Sequence, residues 1–240
     1  SMNGKPISGI LGQEINFFMD EMGERKIGGN WIDELYDEDL ATRLRRIHRT
    51  KMAAYQRPIT FWAIFDRANT EPELLEQMRQ YLPLYTSKGI YIDLYRYGYQ
   101  RENWFWKEQP QNQAIIQEYK KHLDAVHALA VAGWEPVPFA KPVDHTDSVI
   151  PDILIERFGR RFFTLYNGGE QTVNFSVKMD WKSIGLLPVG VMDWETGRVF
   201  PFTVSGDTLT VPGLSLKRHT VQILEFQSLT VYLPLVLRQR

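Results

Sequence analysis

The sequence predicts two fold classes in series, an α/β part built on a parallel sheet and an all-β antiparallel sandwich, and three observations carry that prediction. Up to about residue 140, dense β-branched and aromatic runs alternate with amphipathic helical segments, as in a parallel sheet buried on both faces. From Asp147 onward, short runs recur at about ten-residue spacing with turn signals between them, the grammar of an antiparallel sandwich. Between these parts, Lys141-Pro142-Val143-Asp144-His145-Thr146 follows neither period. The expected division is residues 1–145, residues 146–228, and a tail or extra edge strand over 229–240.

In the first part, Ile7 to Ile15 reads as a strand and Asp39 to Tyr55 as a helix, with Leu40, Leu44, Ile47 and Met52 at helical spacing. His48 falls on a basic face with Arg45, Arg46 and Arg49, read as solvated. Pro58 to Phe65 is the next strand, and Thr70-Glu71-Pro72-Glu73 caps a helix carrying Leu74, Leu75, Met78 and Leu82. Gly89 to Leu94 is a third strand, Gln111 to Ala132 a helix ended by Gly133, and Trp134 to Ala140 a fourth strand.

In the second part, strands are expected at Ile153–Phe158, Arg161–Tyr166, Gln171–Lys178, Val189–Glu195, Arg198–Val204, Thr208–Val211 and His219–Phe226. Asn167-Gly168-Gly169 is the strongest hairpin signal among their connections.

Composition excludes several functions. The chain has 240 residues, 28 Lys plus Arg against 29 Asp plus Glu, and no cysteine. A net charge of -1 gives no basic footprint for nucleic acid or an anionic membrane. Without cysteine there is no disulfide framework, thiolate metal site or cysteine nucleophile. No apolar run approaches the roughly 20 residues of a membrane-spanning helix. Ser1-Met2-Asn3-Gly4 reads as the remnant of an expression tag before a trimmed beginning. The high aromatic content, seven Trp, eleven Tyr and thirteen Phe, turns attention to small molecules and neutral polymers.

Gly133-Trp134-Glu135-Pro136-Val137, Ile155-Glu156-Arg157-Phe158-Gly159, Phe163-Thr164-Leu165-Tyr166-Asn167 and the run from Leu214-Ser215-Leu216 to Leu224 resemble the C-terminal half of bacterial glycoside-hydrolase-like proteins. The resemblance covers most of the chain without fixing a numbered family. It implies a TIM-type (β/α) barrel followed by a β-sandwich, a carbohydrate ligand, and a secreted or periplasmic location. The four strands counted before the sandwich are half of a closed barrel. The expectation is therefore a partial (half) barrel, whose open edges call for a missing N-terminal half or a homo-oligomer.

Glycosidases need paired carboxylates, and barrels carry them at the C-terminal ends of strands. Asp66 after Ile59–Phe65, Glu14 after Ile7–Gln13 and Asp93 within Ile90–Leu94 meet that positional test, with Glu21 and Glu135 weaker. Asp66 also suits a turn before Arg67, Glu14 a rim ion pair, and Asp93 a buried pair with Arg96. The segment Tyr95 to Trp106 supplies sugar-contacting candidates in Tyr95, Arg96, Tyr97, Tyr99, Trp104 and Trp106, since flat rings suit the C–H face of sugars. No cofactor or metal is expected. His122 and His127 sit five residues apart, which is not a metal-binding pair, there is no Gly-x-Ser-x-Gly elbow, and Gly28-Gly29-Asn30 leads into Trp31 rather than a phosphate loop. The expected activity is hydrolysis of oligo- or polysaccharide. The alternatives are a non-catalytic carbohydrate-binding protein and a structural or assembly fragment.

Overall fold

The computed structural model describes residues 18–22, 24–27, 30–33, 38–54, 57–64, 70–95, 113–186 and 188–228. The described residues form a mixed α/β protein with one parallel sheet and several antiparallel ones. The parallel sheet has the order β1-β4-β5, from β1 (Phe18–Met22), β4 (Ile59–Ile64) and β5 (Ile90–Tyr95). Between β1 and β4 lie a hairpin, β2 (Glu24–Ile27) with β3 (Asn30–Asp33), and the helix α1 (Leu40–Ala54). Helix α2 (Glu71–Ser87) connects β4 to β5, and α3 (Gln113–Ala132) follows.

The helix termini are those the sequence announces. Thr70 and Glu73 form a capping box at α2, with Pro72 in the first turn, where a missing amide costs nothing. Asp39 takes the Thr42 amide at 2.9 Å and its hydroxyl at 2.7 Å to cap α1. Gly133, at φ 82, ends α3 in the left-handed conformation that favours glycine. Ile59, Phe61, Ile90 and Ile92 are buried against Ile47, Leu74, Met78, Leu82 and Ile115 of the three helices. The buried face of α1 runs through Arg43, Arg46, Ile47, Thr50, Lys51 and Ala54, so Met52 is exposed and Arg46 is buried beside Glu38, at 3.2 Å. The reading of Arg46 as solvated and Met52 as core is corrected: the stripe is turned toward the sheet by its polar members.

The remaining strands build a six-stranded sheet, β12-β11-β15-β9-β8-β6, and a four-stranded one, β13-β14-β10-β7. They are β6 (Trp134–Glu135), β7 (Ala140–Val143), β8 (Ile153–Phe158), β9 (Phe162–Asn167), β10 (Val173–Asp180), β11 (Pro188–Asp193), β12 (Val199–Phe200), β13 (Thr203–Ser205), β14 (Thr208–Leu216) and β15 (Val221–Ser228). A short helix, α4 (Trp181–Ile184), follows β10. Phe163, Leu165, Val191, Leu224 and Phe226 from the first sheet meet Phe175, Val177, Met179, Leu209 and Val211 from the second in one apolar cluster. Helix α3 is shared, giving Tyr119 to the cluster on the parallel sheet and Ala125 and Leu129 to one with Phe158, Phe162 and Ile223.

Three element readings change. Trp134 to Ala140 is not a fourth parallel strand: β6 pairs antiparallel with β8, Trp134 opposite Phe158, and β7 pairs with β10. The reversal at Gly133 and the Trp134 indole bond to Glu156 of β8 pull the segment there. The strand expected at Arg198–Val204 splits into β12 and β13 around Pro201, which has no amide to donate. The strand expected to stop at Val211 continues to Leu216, because Gly213, at φ 69, lets a bulge absorb the Pro212-Gly213 turn signal opposite Phe175 and Val177. The expected strand at Ile7–Ile15 and the tail at 229–240 lie outside the described residues.

Candidate functional site

The C-terminal ends of β1, β4 and β5 lie side by side, so whatever follows each strand emerges at one end of the sheet. The register places Glu21, Trp62 and Asp93 in a single row across the three strands. That row alternates with the row of Asp20, Phe61 and Ile92, in which Phe61 and Ile92 are buried against the helices. Of the predicted site residues, Asp93 and Tyr95 are therefore located as positions of β5, Tyr95 opposite Ile64. Glu14, Asp66, Arg96, Tyr97, Tyr99, Trp104 and Trp106 lie outside the described residues. Glu21, the weaker candidate in the sequence, shares the row with Asp93.

Strand β5 is held by α3. The Ile92 amide donates to His122 Nε2 at 3.3 Å, and the Tyr119 hydroxyl donates to the Ile92 carbonyl at 2.6 Å. An amide can only donate, so Nε2 is unprotonated and the ring proton sits on Nδ1, which donates to Thr86 Oγ1 at 2.7 Å. Thr86 in turn donates to the Leu82 carbonyl at 2.9 Å. Burial pushes the His122 pKa down to about 3, which keeps the ring neutral. With both nitrogens engaged and the charge suppressed, His122 positions a strand and is neither a base nor a metal ligand. Among the described residues no group of three or more His, Asp or Glu side chains could hold a metal.

The opposite end of the sheet is a buried ionic knot. Glu156 of β8 accepts from Lys88 at 2.6 Å, from Lys51 at 3.1 Å and from the Trp134 indole. Lys51 also donates to the Lys88 carbonyl at 2.9 Å and sits 4.4 Å from the centre of the Trp134 ring. Burial alone would raise Glu156, but the two ammonium groups and their hydrogen bonds bring it down to about 2. Burial lowers Lys51 to about 7 against the pull of Glu156. These residues stand at the N-terminal ends of β4 and β5, where Gly89, at φ 64, has no room for a Cβ: one would lie 2.5 Å from the Phe158 ring. In a parallel α/β architecture this end carries stability and the other carries ligand chemistry.

No protein-family model matches the chain, and no curated protein matches it. Among solved structures it is similar to a cyclomaltodextrin glucanotransferase with a three-domain ABC distribution, at 14% identity and TM-score 0.41 over 76% of this chain and 39% of that one. It is also similar to a GH30 endoxylanase from Clostridium papyrosolvens, at 13% identity and TM-score 0.38 over 90% of this chain and 50% of that one. A Thermotoga maritima alpha-fucosidase is similar at 12% identity and TM-score 0.26 over 71% of this chain and 40% of that one. These neighbours are glycoside-hydrolase-type enzymes, and the chain spans at most half of their length. No described helix is long and apolar enough to cross a membrane.

Proposed function

We propose that the chain is a glycoside-hydrolase-like protein, or the C-terminal part of one, acting on oligo- or polysaccharide at the C-terminal ends of its parallel strands. In this reading the parallel-sheet part of residues 1–145 is a partial TIM-type barrel, residues 146–228, joined by β6 and β7, form a β-sandwich, and the protein is secreted or periplasmic. The observation that carries the reading is the single register row holding Glu21, Trp62 and Asp93. Two strand spacings of about 4.8 Å separate Glu21 from Asp93 by roughly 10 Å of backbone. From such positions two carboxyl groups can reach the approximately 5–9.5 Å separations that glycosidases use. Asp66 follows β4 within two residues and is the next strand-end acid to test; Glu14, read as ending the run Ile7–Gln13, stands before β1 in the chain and is tested on that separate reading. Tyr95, the last residue of β5, and Arg96, Tyr97, Tyr99, Trp104 and Trp106, in the segment that follows, are assigned to sugar contact.

A panel of aryl glycosides, assayed with wild type and with Asp66→Asn, Glu14→Gln, Asp93→Asn and Glu21→Gln, tests the catalytic roles. Loss of a general acid or base lowers turnover about 100-fold or more; equal turnover in all five proteins removes every one of these assignments. The second reading, a non-catalytic carbohydrate-binding protein, is favoured by the aromatic density of Tyr95–Trp106, which calls for stacking and not for hydrolysis. Isothermal titration with oligosaccharides separates the two: affinity that falls in Trp104→Ala and Trp106→Ala, with no product formed by wild type, selects binding alone.

A further inference from the structure

The chain crosses from the six-stranded sheet to the four-stranded one through Pro136-Val137-Pro138-Phe139. The crossing ends at Phe139, which sits at φ 52, in the left-handed region that bulky side chains rarely enter. At seven other positions with positive φ among the described residues the chain has glycine, so Phe139 carries a large ring where the backbone favours no side chain. Its conformation is fixed from both sides. The Phe139 carbonyl accepts the Asp180 amide at 2.9 Å, and β7 starts at the next residue.

Burial of the ring does not offset that strain. Phe139 belongs to none of the three apolar clusters. Of the large apolar side chains exposed among the described residues it alone is aromatic, at 41%. The ring is supported from beneath instead: the Arg157 guanidinium lies over it, 5.6 Å from its centre. Arg157 is buried and held by the Val137 and Gly159 carbonyls, both at 3.0 Å, and by Glu135 at 3.4 Å. One face of Phe139 thus rests on a rigid support, and the exposed area belongs to the other.

The ring lines a cleft of about 480 Å³ together with Lys141, Lys178, Asp180 and Thr208, a volume in the range that holds small ligands. Lys178 is paired with Asp147 at 2.6 Å. The two Asp180 oxygens accept from the Ser183 amide at 2.9 Å and its hydroxyl at 2.6 Å. Lys141 has no ion pair among the described residues, and its charge balances that of Asp180 across the cleft. An apolar platform therefore stands beside ammonium and hydroxyl groups, with no surplus charge.

We infer that this cleft is a carbohydrate-anchoring site on the antiparallel sheets, taking one neutral pyranose ring with its C–H face on Phe139 and its hydroxyls bonded to Lys141 and Thr208. The ring requires a flat C–H surface, the polar groups require hydroxyls, and the balanced charge favours neither an acid nor an amine. The inference is independent of the strand-end reading, since none of its residues belongs to β1, β4 or β5.

Hydrogen exchange of the whole chain with xylohexaose, maltohexaose and trigalacturonate tests it. Both neutral sugars slow the amides of Ala140, Lys141 and Thr208, whatever happens at Met22, Ala63 and Leu94, which report on the strand ends. Phe139→Gly weakens this site by about tenfold or more, whereas Phe139→Trp keeps it. The urea midpoint of Phe139→Gly does not fall, because glycine adopts φ 52 without strain. No protection at the three sandwich amides by either neutral sugar, equal protection by trigalacturonate, or protection unchanged in Phe139→Gly each overturns the inference. A lowered midpoint in Phe139→Gly also overturns it, by making the ring a packing residue.

Discussion

His122 of α3 accepts the Ile92 backbone amide of β5 at 3.3 Å, and Tyr119, one helical turn earlier, donates to the carbonyl of the same residue at 2.6 Å. The N–H and C=O of a strand residue point to the same side. At Ile92, therefore, two side chains complete the hydrogen bonds of the outer edge of β5, where a further strand would otherwise pair. Among the described residues β5 ends the order β1-β4-β5, and these bonds hold Ile92, the neighbour of Asp93, in place.

Tyr119→Phe removes one buried bond and leaves the Ile92 carbonyl unsatisfied, at a cost of about 1–3 kcal/mol. Denaturant unfolding measures that loss. Native-state hydrogen exchange in His122→Phe checks the other bond, with the Ile92 amide expected to exchange faster while amides of β10 and β14 do not change.

The pH dependence of stability follows from His122. Its folded pKa of about 3 lies below the ordinary 6.5, so below pH 6.5 the unfolded chain binds a proton that the folded chain refuses. Stability from this group is complete above pH 6.5 and falls as pH drops through that window, by up to about 1.4 kcal/mol per pH unit. Denaturant titrations between pH 6.5 and 4.5, above the range where Glu156 protonates, should give a slope that His122→Gln flattens.

The ionic knot predicts opposite outcomes for its members. Glu156→Gln leaves Lys51 and Lys88 buried without their shared anion and costs about 3–5 kcal/mol. Lys51→Met keeps the 2.6 Å Lys88–Glu156 pair and removes the most buried cation, so near neutral pH it is close to neutral or stabilising. Because the Lys51 pKa is lowered from 10.5 to about 7, wild-type stability rises with pH across that interval, and the Met variant loses the rise. Urea midpoints at several pH values check both signs.

Gly89→Ala combines a positive φ with a Cβ placed 2.5 Å from the Phe158 ring. The left-handed penalty and the overpacking together cost about 2–4 kcal/mol. Thermal unfolding reads it, and the control Gly206→Ala, also left-handed but with nothing within 4 Å of the added Cβ, shows only the smaller backbone part.

Local chemistry made much of the fold legible before any coordinates. The Thr70–Glu73 capping box, Gly133, and the β-branched cores of β4 and β5 each act within a few residues, and each element stands where its signal put it. What was illegible depends on distant partners. Trp134 joins the antiparallel sheet through Glu156 and Phe158, both more than twenty residues away, and no periodicity encodes that choice. His122 looked uninformative because its partners, Thr86 and Ile92, come from other elements 36 and 30 residues away. The strand-end acids were chosen by position alone; the register adds Glu21 to Asp93 as a row mate, which a linear reading could not do.

The proposed function has carbohydrate engage the C-terminal ends of the parallel strands. Backbone hydrogen exchange of the whole chain, with and without maltohexaose or xylohexaose, tests it most directly. Slower exchange is expected at the row-end amides Met22, Ala63 and Leu94, lost in Asp93→Asn and Trp104→Ala. Protection confined to the antiparallel sheets, with those three amides unchanged for both sugars, would contradict it.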